Sequence, residues 1–84
     1  MTTKMRTRID IQDTINTDYR LAVSYAADLF KKEAPSEEQR ATIHTIIDGK
    51  LSTIAALEWA LGKEYTPKWA EIMKKGAKQA REVQ

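Results

Sequence analysis

The chain has 84 residues, no cysteine and a formal net charge of +2. That length allows one domain with a modest core, because so short a chain buries only about 60–65% of the surface that it exposes when unfolded. Without cysteine there are no disulfides and no thiolate metal sites. With 42% hydrophobic and 31% charged residues, the composition is that of a folded protein. No apolar run reaches the length of a membrane span and the polar N-terminus is not a secretory signal, so we expect a cytoplasmic protein.

The charges are unevenly distributed along the chain. Residues 1–9 carry three bases and no acid, residues 10–62 carry nine acids and five bases, and residues 63–84 carry six bases and three acids. Basic ends either bind nucleic acid or dock on the acidic middle of a neighbouring copy, and a solvated charged face is the plainer interpretation. The candidate contact residues are Arg6, Arg8, Lys74, Lys75, Lys78 and Arg81.

Residues 1–9 are predicted to form a flexible basic arm that precedes a single helical domain over residues 10–84. Met5, Thr7 and Ile9 alternate with charged residues, and a period of two also suits a short strand. A basic strand followed by two helices resembles, in outline, the ribbon–helix–helix regulators. That resemblance implies paired strands from two chains that enter the major groove of DNA.

The first helix is predicted over residues 11–33, with Asp10 as its N-cap. Turn-prone residues around Thr17 interrupt the pattern, so the helix either runs through or starts afresh with Thr17 as its cap. The apolar residues fall on one face at 3.6 residues per turn, and they are Ile11, Ile15, Tyr19, Ala22, Val23, Ala26, Leu29 and Phe30.

The second helix is predicted over residues 36–61. Ser36 and Gln39 have the spacing of a capping box, and Gly62 suits the left-handed position after a helix end. Gly49 either breaks this helix or lies within it, and the uninterrupted apolar periodicity favours a continuous helix. Because two residues, Ala34 and Pro35, separate the first two predicted helices, we expect a long antiparallel hairpin.

A shorter basic third helix is predicted over residues 67–82, with Thr66 as cap and Pro67 at the first helical position. The end of the second helix, Gly62 and this basic helix also resemble a helix-turn-helix in outline. That resemblance implies DNA recognition by the third helix. The predicted fold class is therefore all-α, with three helices.

One side of the second helix carries small residues. If the other two helices pack on its apolar face, this side has no partner within the chain. Small residues allow close approach of two backbones, and a neighbouring tryptophan can bury a large area. We therefore predict a homo-oligomer, most simply a dimer, with contact at Gly49, Thr53, Ala56, Trp59 and Ala60.

No pattern in the sequence indicates catalysis. His44 and Asp48 are four residues apart, but a metal site would need at least a third ligand, and no triad or phosphate-binding loop is present. Lys50 falls on the apolar face, where we expect it to reach the surface or pair with an acid across the hairpin. We predict no enzymatic activity and no cofactor.

The sequence thus favours a small helical interaction protein that self-associates and acts by binding a protein partner, as accessory or inhibitory proteins of the phage type do. The first alternative is a DNA-binding regulator, whose affinity would fall steeply with salt. The second is an oligomer that sequesters a small molecule between chains, using Trp59, Tyr25 and nearby basic residues.

Overall fold

The computed structural model of the chain describes residues 2–31, 33 and 35–83, without the side chains of residues 2–6 and 83. It contains three helices, α1 (Thr2–Asp28), α2 (Glu37–Ala60) and α3 (Trp69–Val83). No strand occurs among the described residues. The all-α, three-helix prediction is therefore confirmed.

The ends of α2 follow from its capping residues, as predicted. The Gln39 backbone N–H donates to the Ser36 hydroxyl (3.1 Å), and the Ser36 backbone N–H donates to the Gln39 side chain (3.0 Å). At the other end Gly62 has a φ of +78°, a left-handed conformation that glycine adopts without steric cost. The helix is continuous through Gly49, so the alternative of a break at this residue is wrong.

Helix α1 differs from its predicted bounds at both ends. It begins at Thr2 and ends at Asp28, whereas the sequence predicted residues 11–33. The alternation around Thr7 and Ile9 is part of a helix, so the strand that a ribbon–helix–helix protein requires is absent from the described residues 2–31. The side chain of Arg6, one of the candidate contact residues, lies outside the described part of the chain.

Helix α1 is the central element of the fold. It packs against both α2 and α3, while α2 and α3 contact each other only weakly. The core is the fully buried cluster of Ala22 and Ala26 from α1, Ile47 from α2 and Ile72 from α3. The helix that receives the other two is therefore α1 and not α2.

The contact between α1 and α3 depends on a glycine. A Cβ placed on Gly76 would lie 2.6 Å from the Cβ of Ala26 and 2.8 Å from the backbone of Ala26 and Ala27. No larger side chain fits between backbones that are this close. Ala80, one turn further along α3, is also buried, so small residues on both helices bring α3 close to α1.

Of the two helical glycines, Gly76 and not Gly49 makes a close helix contact within the described part of the chain. A Cβ on Gly49 would meet no atom within 4 Å, so none of the described helices packs on it. Gly76 is the glycine that the contact between α1 and α3 requires.

Two polar contacts join α1 to α2 and to the segment that follows α2. Lys50 Nζ lies 3.9 Å from Asp18 Oδ1 in a half-buried ion pair, which confirms that Lys50 pairs with an acid of the neighbouring helix. Lys63 Nζ donates to Gln12 Oε1 at 2.9 Å. The end of α2 therefore lies at the level of Gln12 on α1.

Alanine substitutions at the two helical glycines should have opposite effects. Gly76→Ala should lower the free energy of unfolding by about 1–3 kcal/mol, because α3 must move away from Ala26. Gly49→Ala should raise it by roughly 0.5–1 kcal/mol, because alanine is the better helix former and has open space around it. Urea denaturation of the two variants and the wild type measures both changes. Equal effects of the two substitutions would contradict this packing.

Candidate interaction surface

The outer face of α2 is not covered by any other described part of the chain. The name outer face denotes the five residues that the sequence predicts as the contact between copies, and all five are exposed. Trp59 is 81% exposed, an unusual degree for tryptophan, which is highly buried on average. The members of the outer face are Gly49, Thr53, Ala56, Trp59 and Ala60. The structure thus places these residues together on one free surface, and their contact with a second copy remains a prediction.

Trp59 projects outward because of its phase on the helix. Ile47 and Ile54 are the buried residues of α2 and define the side that faces α1. At 3.6 residues per turn, Trp59 is rotated by about 120° from Ile47 and about 140° from Ile54. Its ring therefore cannot join the core unless α2 rotates and exposes the two isoleucines.

A groove of about 400 Å³ lies beside the outer face, between residues 48–58 of α2 and the segment that leads into α3. Apolar side chains of α2 and two aromatic rings contribute to its lining, and Tyr65 is 70% exposed. The residues that line this groove are Asp48, Leu51, Ser52, Ile54, Ala55, Glu58, Tyr65, Thr66, Pro67, Lys68 and Trp69. Its volume is within the range of small-ligand pockets.

His44 helps to hold one wall of the groove. Its ring stacks on Trp69, with centroids 5.3 Å apart and the planes inclined by 27°. The stack joins the first half of α2 to the start of α3, where the two helices otherwise contact each other little. Of the two residues considered in the sequence as metal ligands, His44 therefore stacks on Trp69 and Asp48 lines the groove. In the part of the chain that the structure describes, no three histidine or acidic residues are grouped to hold a metal ion.

The charges at the groove leave one carboxylate unbalanced. Lys68 Nζ lies 2.9 Å from Glu58 Oε1 in an ion pair whose side chains are both largely buried, and it also donates to the Thr66 carbonyl at 3.2 Å. Glu58 is therefore neutralised within the chain. Asp48 forms no ion pair or hydrogen bond through its side chain with the described residues, so the groove carries a net negative charge.

The predicted basic contact residues do not form one cluster. Arg8 is exposed near the start of α1, and Lys74, Lys78 and Arg81 are exposed on α3. Lys75, in contrast, pairs with Glu71 of its own helix at 3.1 Å.

The α2–α3 connection does not match a helix-turn-helix. Residues 61–68 separate these helices, whereas the motif has a turn of about three or four residues. The resemblance that implied this motif therefore does not extend to the geometry.

A polar cluster on the α1–α3 surface was not predicted. The Tyr19 hydroxyl donates to Glu71 Oε1 at 2.5 Å, and Lys75 Nζ lies 4.7 Å from the centre of the Tyr19 ring. Burial, and then the hydrogen bond to Glu71, raise the pKa of Tyr19. The hydrogen bonds from Tyr19 and Lys75 lower the pKa of Glu71. This cluster ties α3 to α1 on the surface above the buried glycine contact.

The groove was also missed by sequence reasoning, although a signal for it exists. Tyr65, Pro67 and Trp69 place three large or rigid side chains within five positions of a segment that otherwise has loop character. Such a concentration at a helix start can form a wall. The pairing of Glu58 with Lys68 gives no signal of its own, because the two residues are ten positions apart.

Comparisons with protein-family models, with curated proteins and with solved structures found no match. None of the described helices is long and apolar enough to cross a membrane.

The Tyr19–Glu71 contact predicts a pH dependence of stability. The pKa of Glu71 is lowered in the folded state, so its contribution is present at neutral pH and is lost as the pH falls through the acidic range. The pKa of Tyr19 is raised above 10.0, so its contribution is present below that value and is lost at higher pH. Glu71→Gln should therefore lose less stability than the wild type between neutral and acidic pH.

Denaturant unfolding at a series of pH values measures this difference. Glu82→Gln is the control, since Glu82 is an exposed carboxylate of the same helix for which no ion pair occurs among the described residues. An acid dependence of Glu71→Gln equal to that of the wild type would contradict the role given to this contact.

Proposed function

We propose that this chain is a non-enzymatic helical interaction protein that self-associates and acts by occupying the surface of a protein partner. The observation that supports it best is the outer face of α2, which stays free although the apolar faces of all three helices meet in the core. Tryptophan is enriched among the residues that dominate binding energy at interfaces. A tryptophan that is 81% exposed beside an apolar groove is suited to such a contact.

The α1–α2 pair gives this face a firm support. We infer that the two helices are antiparallel, because their polar contacts run in opposite order along the chain: Asp18 pairs with Lys50, and Gln12, earlier in α1, with Lys63, later in the chain. Helices joined and packed in this way hold the outer face of α2 in one orientation. A preformed surface loses less conformational entropy on binding.

Self-association follows from the small side chains. Gly49, Thr53, Ala56 and Ala60 allow a second helix to approach closely, and Trp59 adds a large apolar area at the edge of the contact. A twofold arrangement is the commonest solution for a patch that contacts its own copy. A chain of this length also gains stability when further surface is buried between copies.

Nucleic-acid binding is the weaker alternative. It is supported by Lys74, Lys78 and Arg81, which are exposed and for which no ion pair occurs among the described residues. Phosphate contacts of this kind would make the affinity fall steeply with salt, because counterions are released on binding. A protein interface centred on an aromatic side chain should depend on salt much less.

Leucine at position 49 should disrupt the self-contact without harming the fold. The site has open space within the chain and leucine is a good helix former, so Gly49→Leu should keep its helicity. Sedimentation velocity should show a smaller species than the wild type at equal concentration. Trp59→Ala should have the same effect through loss of apolar contact area.

Ser24→Leu is the matched control, because Ser24 is an exposed residue of α1 outside the outer face. It should leave the size of the assembly unchanged. A monomeric wild type at every accessible concentration, or equal effects of the variants at positions 24 and 49, would contradict the proposal.

A further inference from the structure

We propose that the groove beside α2 receives the beginning of α1 from a second copy, with Arg8 of one chain at Asp48 of the other. This inference rests on the self-association in the proposed function and adds to it a second, electrostatic contact. It assigns a role to two features that the outer face leaves unused, the unbalanced carboxylate at the groove and the basic start of the chain.

The groove is suited to bind a cationic side chain together with an apolar one. Leu51, Ile54 and the aromatic residues of its lining offer apolar contact. The ion pair between Glu58 and Lys68 is complete within the chain, so the Asp48 carboxylate is the charge left for a ligand. A guanidinium group suits such a site, because it pairs with carboxylates and stacks on aromatic rings.

The first turns of α1 present that chemistry. Arg8 is exposed, and Ile9 beside it is 54% exposed. No acid precedes Asp10 in the sequence, whereas Lys4 and Arg6 add positive charge. The side chain of Arg8 forms no ion pair or hydrogen bond with the described residues. The positive charge of this segment is therefore complementary to the negative charge of the groove, and its exposed isoleucine suits the apolar part of the lining.

The same chain cannot make this contact. Lys63, just beyond the end of α2, donates a hydrogen bond to Gln12. The part of α1 that packs beside α2 therefore ends near Gln12. Residues 2–9 continue along the axis of α1, which is helical from Thr2, and extend roughly 15 Å beyond Gln12 at 1.5 Å per residue. A continuous helix does not fold back, so Arg8 is directed away from the body of its own chain.

A second copy can make the contact reciprocally. The groove extends from the middle of α2, at Asp48, towards its C-terminal end and the residues after it, and the beginning of α1 lies beyond that end. Two copies that meet at this end about a twofold axis can each place Arg8 in the other's groove. Such an exchange closes the assembly, since a twofold contact uses the same patch on both chains.

Charge reversal tests the exchange directly. Asp48→Lys and Arg8→Glu should each weaken self-association by about tenfold, because each homodimer then contains two like-charged contacts. An equimolar mixture of the two variants should associate about as strongly as the wild type. In that mixed dimer one contact is the original Arg8–Asp48 pair, and the other joins the introduced glutamate to the introduced lysine with the charges reversed. Sedimentation equilibrium on each variant and on the mixture gives the dissociation constants.

Arg20→Glu and Asp13→Lys are the controls, since both residues are exposed on α1 and lie outside the groove and the first turns. They should leave the dissociation constant unchanged. Circular dichroism of all variants confirms that the helices are retained.

The inference is overturned if the wild type is monomeric, if either single reversal has no effect, or if the mixture stays as weak as its components. Its failure is distinguishable from that of the proposed function. If Gly49→Leu and Trp59→Ala dissociate the assembly while the charge reversals do not, the outer face is the interface and the exchange is wrong. If the mixture recovers while Gly49→Leu has no effect, the exchange holds and the outer face is not the contact between copies.

Discussion

The close contact between Gly76 and Ala26 is the constraint on which the rest of the structure depends. Because a Cβ on Gly76 would lie 2.6 Å from that of Ala26, α3 can approach α1 only where both helices carry their smallest side chains. This approach brings Ile72 into the buried cluster with Ala22 and Ile47. It also allows the Tyr19 hydroxyl to reach Glu71 across the α1–α3 surface.

The position of α3 decides which surfaces remain free. Since α1 is the helix that contacts both others, α2 packs through one side and leaves its opposite side open. The His44–Trp69 stack and the Glu58–Lys68 pair hold the start of α3 and the residue before it against α2. The groove lies beside these two contacts, next to the exposed Trp59. The free outer face and the groove therefore both follow from the packing of α2 and α3 on α1.

Local signals in the sequence predicted local structure well. Ser36, Gln39 and Gly62 define α2 because capping depends on residues within a few positions of one another. The order of packing was not predictable in this way, because Gly49 and Gly76 look alike in sequence and differ only in what lies opposite them. The outer face was identified from periodicity alone, whereas the groove needs residues of α2, the connection and α3 together. The start of α1 was misread because Met5, Thr7 and Ile9 fit a period of two.

The central claim is that the fold leaves Trp59 free and that association covers it. The most direct measurement is acrylamide quenching of Trp59 fluorescence in a Trp69→Phe background, at protein concentrations below and above the onset of association. Phenylalanine keeps an aromatic ring against His44 and makes Trp59 the only tryptophan. The account predicts strong quenching in the dilute protein, with weaker quenching and emission at shorter wavelength in the assembly. Quenching that stays equally strong while the protein associates would contradict it.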